Sequence, residues 1–273
     1  MFQHSYKMSY KFQEIDERDH LLSHDNESNT LILKTRNNTE VIKNLESMPL
    51  KLNLYRITNP INILDQGKIG SCVSNSFALN ISYITNNSVN ICRLLHYALC
   101  RIRDNTALSD DSGTTIRLAG NVINSYGTCS ESLYPYSLIN VNNYHILPPL
   151  NTLQNSKLFR LFRYNFVQQN LNSIKACLNT YKTPIIFGFM VYSSFMTQTV
   201  AKTGIAPMPV TSKEVLQGGH CMNIVGYDDI KKVFICANSW GTTWGDKGFC
   251  YMPYDYIINP SLARDLCFLQ VTI

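Results

Sequence analysis

Residues 66–77 read QGKIGSCVSNSF. Gly67, Gly70 and Ser71 carry little or no side chain and lead into a single cysteine, Cys72. Directly after it Val73, Phe77, Ile81 and Ile84 fall at helical spacing, so the thiol stands where a glycine-permissive turn meets a helix N-terminus. Free N–H groups and the dipole of a first helical turn favour negative charge, which lowers a cysteine pKa. Taken alone, Cys72 reads first as a buried inert thiol; its partners change the reading.

A thiolate nucleophile needs a proton partner, and the chain offers six histidines. His4, His20 and His24 lie in a polar N-terminal stretch, His145 precedes two prolines, and His96 falls in the apolar helix RLLHYAL as a core residue. His220 differs, because GGHCMNIVGYDD (218–229) sets it after Gly218 and Gly219 at the start of an apolar strand. That strand and KKVFICANSW (231–240) form a hairpin with its tip near Asp229 or Ile230, pairing with index sums of about 458 or 459. His220 is then opposite Asn238 to within a residue, at a Cβ separation of about 4.5–5.5 Å. A carboxamide there holds one ring nitrogen and leaves the other for a nucleophile.

The wider chain reads as α+β with two lobes. Helices are expected at 72–85, 91–103, 114–126 (stopped by Gly127) and 170–180. Strands are expected at 184–192, 220–227, 232–239 and 247–252. Residues 1–47 are polar and charged, without Gly or Cys, and only TLILK (30–34) reads as a strand; they form a tail or pro-segment. The remainder, 48–273, is one domain, with the helical lobe mainly at 60–150 and the β-rich lobe mainly at 165–273.

Three blocks in this order, QGKIGSC (66–72), GGHCMNIVGYDD (218–229) and NSWGTTWGDKGF (238–249), resemble the signature blocks of the papain family of cysteine peptidases. The resemblance runs from about residue 54 to the C-terminus. It implies a papain-like fold, with an α-helical left lobe, a β-barrel-like right lobe and the active-site cleft between them. It implies Cys72 as nucleophile, His220 as its partner, Asn238 as orienter and Gln66 as oxyanion-hole donor beside the Cys72 N–H. Trp240 would shield the His220–Asn238 bond, and Trp244 would wall the leaving-group side. Gly113 would pair with an extended peptide. Thr115, Ile116 and Gly218 would line a small apolar pocket for the side chain one before the scissile residue, and Gly218 with Gly219 would let the substrate backbone approach closely. Ile69 stands where secreted members carry a disulfide cysteine, and Val73 where they carry an aromatic. Both departures resemble the signal-less microbial and large-virus branch, as do EIDERDHLLS (14–23) and the stretch 110–136.

The implied function is a thiol endopeptidase acting on polypeptides, made as a precursor that its own N-terminal segment restrains until a cut near Ser47–Asn53. Alternatives on the same scaffold are a silent peptide-binding module and another acyl transferase. No cofactor or metal is expected, because the nine cysteines show neither CxxC pairs nor zinc spacing. The net charge of +5 without a basic–aromatic cluster argues against nucleic acid, and the longest apolar run, PIIFGFMVY (184–192), is too short for a membrane. No leader is visible, so the expected location is intracellular, with packaging in a virion if the source is viral. The pairs Asp110–Asp111 and Asp228–Asp229 read as solvated turn acids.

Overall fold

In the computed structural model the helix after the glycine turn is Cys72–Ile84, buried along nearly its whole length between two lobes. The structure describes residues 6–271 apart from 15, 17–18, 26–28, 36–37, 45–47, 58–59 and 155–161. In chain order the helices are α1 (Leu54–Ile57), α2 (Cys72–Ile84), α3 (Arg93–Arg103), α4 (Ile116–Tyr126) and α5 (Leu138–Asn142). They continue with α6 (Leu150–Gln154), α7 (Leu171–Tyr181), α8 (Gln198–Thr203) and α9 (Tyr254–Ile258). The caps explain the boundaries. Thr115 accepts a bond from the Leu118 N–H at 3.1 Å and Asn170 from the Ser173 N–H at 2.8 Å, each satisfying a free donor of the first turn. Gly127, at φ +70°, stops α4 as expected.

The left lobe packs α3 and α4 against α2. The right lobe is built on strands β1 (Leu21–Asp25), β2 (Thr30–Thr35), β3 (Asn38–Asn44), β4 (Lys51–Asn53), β5 (Phe162–Val167), β6 (Ile185–Tyr192), β7 (Leu216–Asp228), β8 (Val233–Ala237), β9 (Phe249–Pro253) and β10 (Ala263–Val271). Their order is β3-β2-β1-β5-β10-β6-β7-β8-β9, with β4 on β7. Among the described strands only β1 and β5 pair in parallel. Phe187, Phe189, Phe195, Phe234 and Phe268 are buried in the right-lobe core, each contributing about 1.5–3 kcal/mol.

Three findings differ from the reading of the sequence. First, the polar N-terminal stretch supplies three strands rather than one. Leu22, Leu31 and Leu33 join the right-lobe core, in the cluster that holds Ile174 and Leu178 of α7. Second, the β7–β8 hairpin turns one residue later than expected. Tyr227 faces Phe234 and Asp228 faces Val233; a bulge between Ile224 and Gly226 then puts Asn223 opposite Ala237. Ladder pairing ends there, so His220 and Asn238 meet beyond its last rung rather than as an opposed pair. Third, Asp111 is no solvated acid. It accepts from the Gly70 N–H at 2.8 Å and the Tyr97 hydroxyl at 2.6 Å, and pairs with Lys7. Asp229 is likewise tied to Lys175 and Tyr254, while Asp228 does cap its turn through the Ile230 and Lys231 N–H groups.

Among the described residues no helix is long and apolar enough to cross a membrane. Nor do three His, Cys, Asp or Glu side chains among them gather as a metal site.

Candidate active site

Cys72 opens α2 and His220 sits on β7, so the two lobes each bring one group to the cleft. The first turn of α2 contains no acidic side chain to cancel its positive end. The N–H groups of Cys221, Val73 and Ser9 point at the Cys72 sulfur and favour its anion. Burial outweighs them and pushes the thiol up to about 11. Cys72 is fully buried, and what covers it includes Ser9.

The His220 ring is fixed on three sides. Its Nε2 donates to Asn238 Oδ1 at 2.8 Å. Trp240 stacks on one face, with centroids 4.7 Å apart at 26°, and Phe189 meets the ring at 5.7 Å and 66°. Asn238 Oδ1 also accepts the Ser239 N–H at 2.8 Å, so the oxygen rather than the amide nitrogen faces the ring. That bond makes Nε2 the protonated nitrogen and leaves Nδ1 as a bare lone pair, without a hydrogen-bond partner among the described residues. Burial lowers the His220 pKa to about 4, against the smaller opposing effect of Asn238. In this state the pair is neutral thiol and neutral imidazole.

Gln66 is fully buried beside them. Its Oε1 accepts from Ser239 Oγ at 2.7 Å and its backbone N–H donates to the Ser239 carbonyl at 2.8 Å, which ties it to the residue after Asn238. The Nε2 donor points at the Ile69 carbonyl at 3.1 Å and at the Lys7 carbonyl at 3.4 Å. Tyr136, half-buried, donates its hydroxyl to the Gln66 carbonyl at 2.8 Å and touches Ser71 Oγ at 2.6 Å. Cysteine, imidazole, carboxamide and amide donor are thus assembled from segments up to 172 residues apart.

A family model of papain family cysteine proteases matches residues 55–264, about three quarters of the chain. The chain belongs to the papain family. It is a cysteine protease, a hydrolase of peptide bonds. An uncharacterized peptidase C1-like protein of Acanthamoeba polyphaga mimivirus is 30% identical over 269 residues, covering 93% of this chain and 84% of that protein. Cysteine proteinase 3 of Dictyostelium discoideum is 24% identical over 76% of this chain and 62% of its own length. Among solved structures, xylellain, a cysteine protease from Xylella fastidiosa, superposes over 100% of both chains with a TM-score of 0.82 at 26% identity. The proCathepsin B S9 of Trypanosoma congolense shares the fold, with a TM-score of 0.61 at 17% identity over 83% of this chain and 78% of that one.

The cleft between the two lobes is filled by the chain itself. Residues 6–12 run through it as an extended strap. Tyr6 stacks on Trp240 at 4.5 Å and 4°, so the indole is sandwiched between Tyr6 and His220, and the Tyr6 hydroxyl donates to the Trp240 carbonyl at 2.9 Å. Trp244 meets Trp240 edge-on at 5.0 Å. The Tyr10 N–H donates to the Gly219 carbonyl at 2.9 Å and the Lys11 N–H to the Thr114 carbonyl at 3.1 Å, with Tyr10 and Thr114 bridged in parallel. Lys7–Asp111 and Lys11–Asp104 pairs at 3.1 and 2.8 Å tie the strap's edges to the left lobe.

The expected peptide-binding residues surround this strap. Gly113, at φ +75°, is so close to it that a Cβ there would lie 1.6 Å from the Ser9 carbonyl oxygen. Gly218 abuts Met8, and Gly219 abuts Tyr10. Ile116 is buried in the same cluster as Tyr10 and Cys72, whereas the Thr115 hydroxyl caps α4. The pocket itself is not the small apolar one expected. It holds the whole Tyr10 ring, and a Cβ on Gly188 would fall 1.9 Å from the ring's Cζ. At its floor the Tyr10 hydroxyl donates to Asp265. Burial raises this carboxyl to about 6, against the Tyr10 hydroxyl, the Gln13 N–H, Arg117 and Arg264, which all favour its anion.

Tyr10, Ser9, Asp111 and Asp265 were missed in the sequence. One signal was present: Tyr6, Met8, Tyr10 and Phe12 alternate with polar residues, the period-2 pattern of an extended segment with one apolar face.

Proposed function

We propose that Cys72 is the nucleophile, His220 its proton partner, Asn238 the residue that orients the ring, and Gln66 with the Cys72 N–H the oxyanion hole. The observation that carries this reading is the asymmetry of the His220 ring. Nε2 is committed to Asn238, and Nδ1 is left bare one residue from the Cys221 N–H that touches the Cys72 sulfur. When the strap leaves, the thiol proton passes to Nδ1 and the thiolate attacks the carbonyl carbon. The oxyanion is gathered where the Lys7 carbonyl now faces Gln66 Nε2. Nδ1–H then protonates the leaving amine, and water activated by His220 hydrolyses the thioester. Trp240 keeps water from the ring's bond to Asn238, and Trp244 backs the leaving-group side.

The strap escapes this chemistry because its direction is reversed. A substrate must present its leaving amine towards His220 and Trp240, with its acyl side along Gly113 and Gly219. The strap enters at Trp240 through Tyr6 and exits along Gly219 through Tyr10. We read it as the intramolecular inhibitor of a precursor. Ser47, at the expected processing site, lies outside the described residues; Lys51–Asn53 pairs with β7. Because β1–β3 belong to the right-lobe sheet, displacing or cutting the chain ahead of Leu21 would free the cleft without dismantling that sheet. Free thiols at all nine cysteines fit an intracellular, reducing location for this polypeptide-cleaving endopeptidase.

The pocket gives the side-chain preference. It accepts an aromatic body or a long stem with a donor at its tip, which in a polypeptide means tyrosine or a basic residue. Mass spectrometry of a peptide library incubated with the chain tests the reading. Cuts should follow such residues by one position and vanish in Cys72→Ala; cuts that persist in that variant would overturn it. Gln66→Ala should lower turnover by about 10²–10³-fold with little change in KM. An unaltered turnover would remove Gln66 from the oxyanion hole.

Strap release should depend on pH through Asp265. Its carboxyl titrates at about 6 under the strap and near the ordinary 3.8 once solvated, so the closed state is the tighter proton binder. That contribution to closure is complete below the open-state value and is lost as pH rises through about 6. Its ceiling is on the order of 3 kcal/mol. Cys72 and His220 exchange a proton with each other on opening and take up none from solvent. Asp265→Asn should flatten the rise in opening rate between about pH 4 and 6, as read by strap cleavage with an added protease. A rise that survives the substitution would contradict the assignment.

A further inference from the structure

Away from the catalytic groups, Cys92 and Cys129 face each other in the left lobe. An isolated antiparallel bridge joins Ile91 to Ser130. It is framed by the Cys92 N–H on the Cys129 carbonyl and the Glu131 N–H on the Asn90 carbonyl, each at 2.8 Å. That framing sets residues 92 and 129 opposite each other, joined by one of the two bonds of a hydrogen-bonded pair, for which Cα atoms stand about 5.5 Å apart. The same separation is the usual one across a disulfide. The two thiols are near enough to act on each other's titration, Cys129 raising Cys92 and Cys92 lowering Cys129. Both residues are fully buried among Ile69, Leu94, Leu95 and Tyr97.

We propose that Cys92 and Cys129 are a redox-active pair that closes into a disulfide when the thiol poise becomes oxidising. The two thiols lose their protons, a sulfur–sulfur bond forms, and two electrons pass to a small disulfide oxidant, which leaves as two thiols. Cys129 is the attacking group. The Cys92 sulfur caps α3 by accepting the Leu95 N–H at 3.4 Å and donates to the Tyr134 carbonyl at 3.3 Å; only the second of these bonds needs the thiol proton.

The bond would lie directly beneath the active-site turn. Arg93, next to Cys92, pairs with Glu131 at 2.7 Å and donates to Asn75 of α2 at 2.8 Å. Seven residues after Cys129, Tyr136 holds the Gln66 carbonyl and Ser71. A covalent link at 92–129 therefore pins together the two segments that support the turn carrying Gln66 and Cys72. These cysteines are 37 residues apart and outside any continuous ladder, so closing that loop restrains the unfolded chain strongly. Cys236 and Cys250 also face each other, across β8 and β9. They sit in a continuous ladder that already joins them, and Cys250 Sγ contacts the Met222 sulfur at 3.9 Å.

The test uses the full chain carrying Cys72→Ala, which removes the nucleophile from the redox chemistry. It is equilibrated in glutathione buffers from reducing to oxidising, alkylated and mapped by non-reducing peptide mass spectrometry. A cross-linked Cys92–Cys129 peptide should appear, and the unfolding midpoint should rise by about 8 °C between the two poises. Cys92→Ser and Cys129→Ser should each abolish that rise. Alkylation of both thiols at every poise would overturn the proposal, as would a cross-link confined to Cys236 and Cys250.

Discussion

Replacing Cys72 with alanine should lower peptide hydrolysis by about 10⁴–10⁶-fold while the fold and strap remain in place. The sulfur is the atom to which the acyl group is transferred, so no neighbouring side chain inherits its role. Ser71 comes nearest in sequence, but its hydroxyl is held 2.6 Å from Tyr136 and outside the helix tip. His220→Ala should cost nearly as much, because the thiol would have no acceptor for its proton. The two losses will not add, since nucleophile and base act as one unit. Initial rates on a fluorogenic peptide, with folding checked by thermal melting, measure both. Residual hydrolysis above about 1% of wild type in Cys72→Ala would place the chemistry elsewhere.

The second large effect runs in the opposite direction. Tyr10→Ala should raise the initial rate of the full chain by about 10²–10³-fold. Removing a buried aromatic ring costs about 3–5 kcal/mol, and here that energy holds the strap closed, not the fold together. The Tyr10 ring fills the space opened by Gly188 and ends on Asp265, so alanine abandons both the apolar contact and the buried hydroxyl bond. Tyr10→Phe keeps the ring and removes one of the donors to Asp265, which should give about a tenfold rise. Equal rates for wild type and Tyr10→Ala, measured before any self-cleavage, would mean that the strap does not limit access.

The residues of the proposed catalytic set were legible because each sits in a local pattern with its own physical logic. Gly67 and Gly70 before Cys72 announce a turn into a helix, and Gly218 and Gly219 before His220 announce close backbone approach. Asn238 was reachable by counting back along a hairpin, although the true turn is displaced and a bulge near Val225 intervenes. The count reached the correct partner because the ladder ends before His220, where side chains rather than register close the gap. The strap and strands β1 and β3 were hidden for a different reason. Their residues are polar enough to read as solvated, and the apolar groups of the strap and β1 are buried by residues more than 100 positions away. Tyr10 meets Asp265, and Leu22 faces Val167 of β5. No local window contains that information. Asp265 itself lies at a bulge in β10 with φ +59°, a distortion that turns it away from the ladder pattern of its neighbours.

The most direct test of the central claim is the pH dependence of Cys72 alkylation by iodoacetamide, resolved by mass spectrometry in protein freed of its strap. If a helix tip and the Asn238-held imidazole together sustain a thiolate, labelling should be fast well below pH 9 and should fall steeply there in His220→Ala. Labelling that begins only near or above pH 9, and is indifferent to His220, would contradict the account.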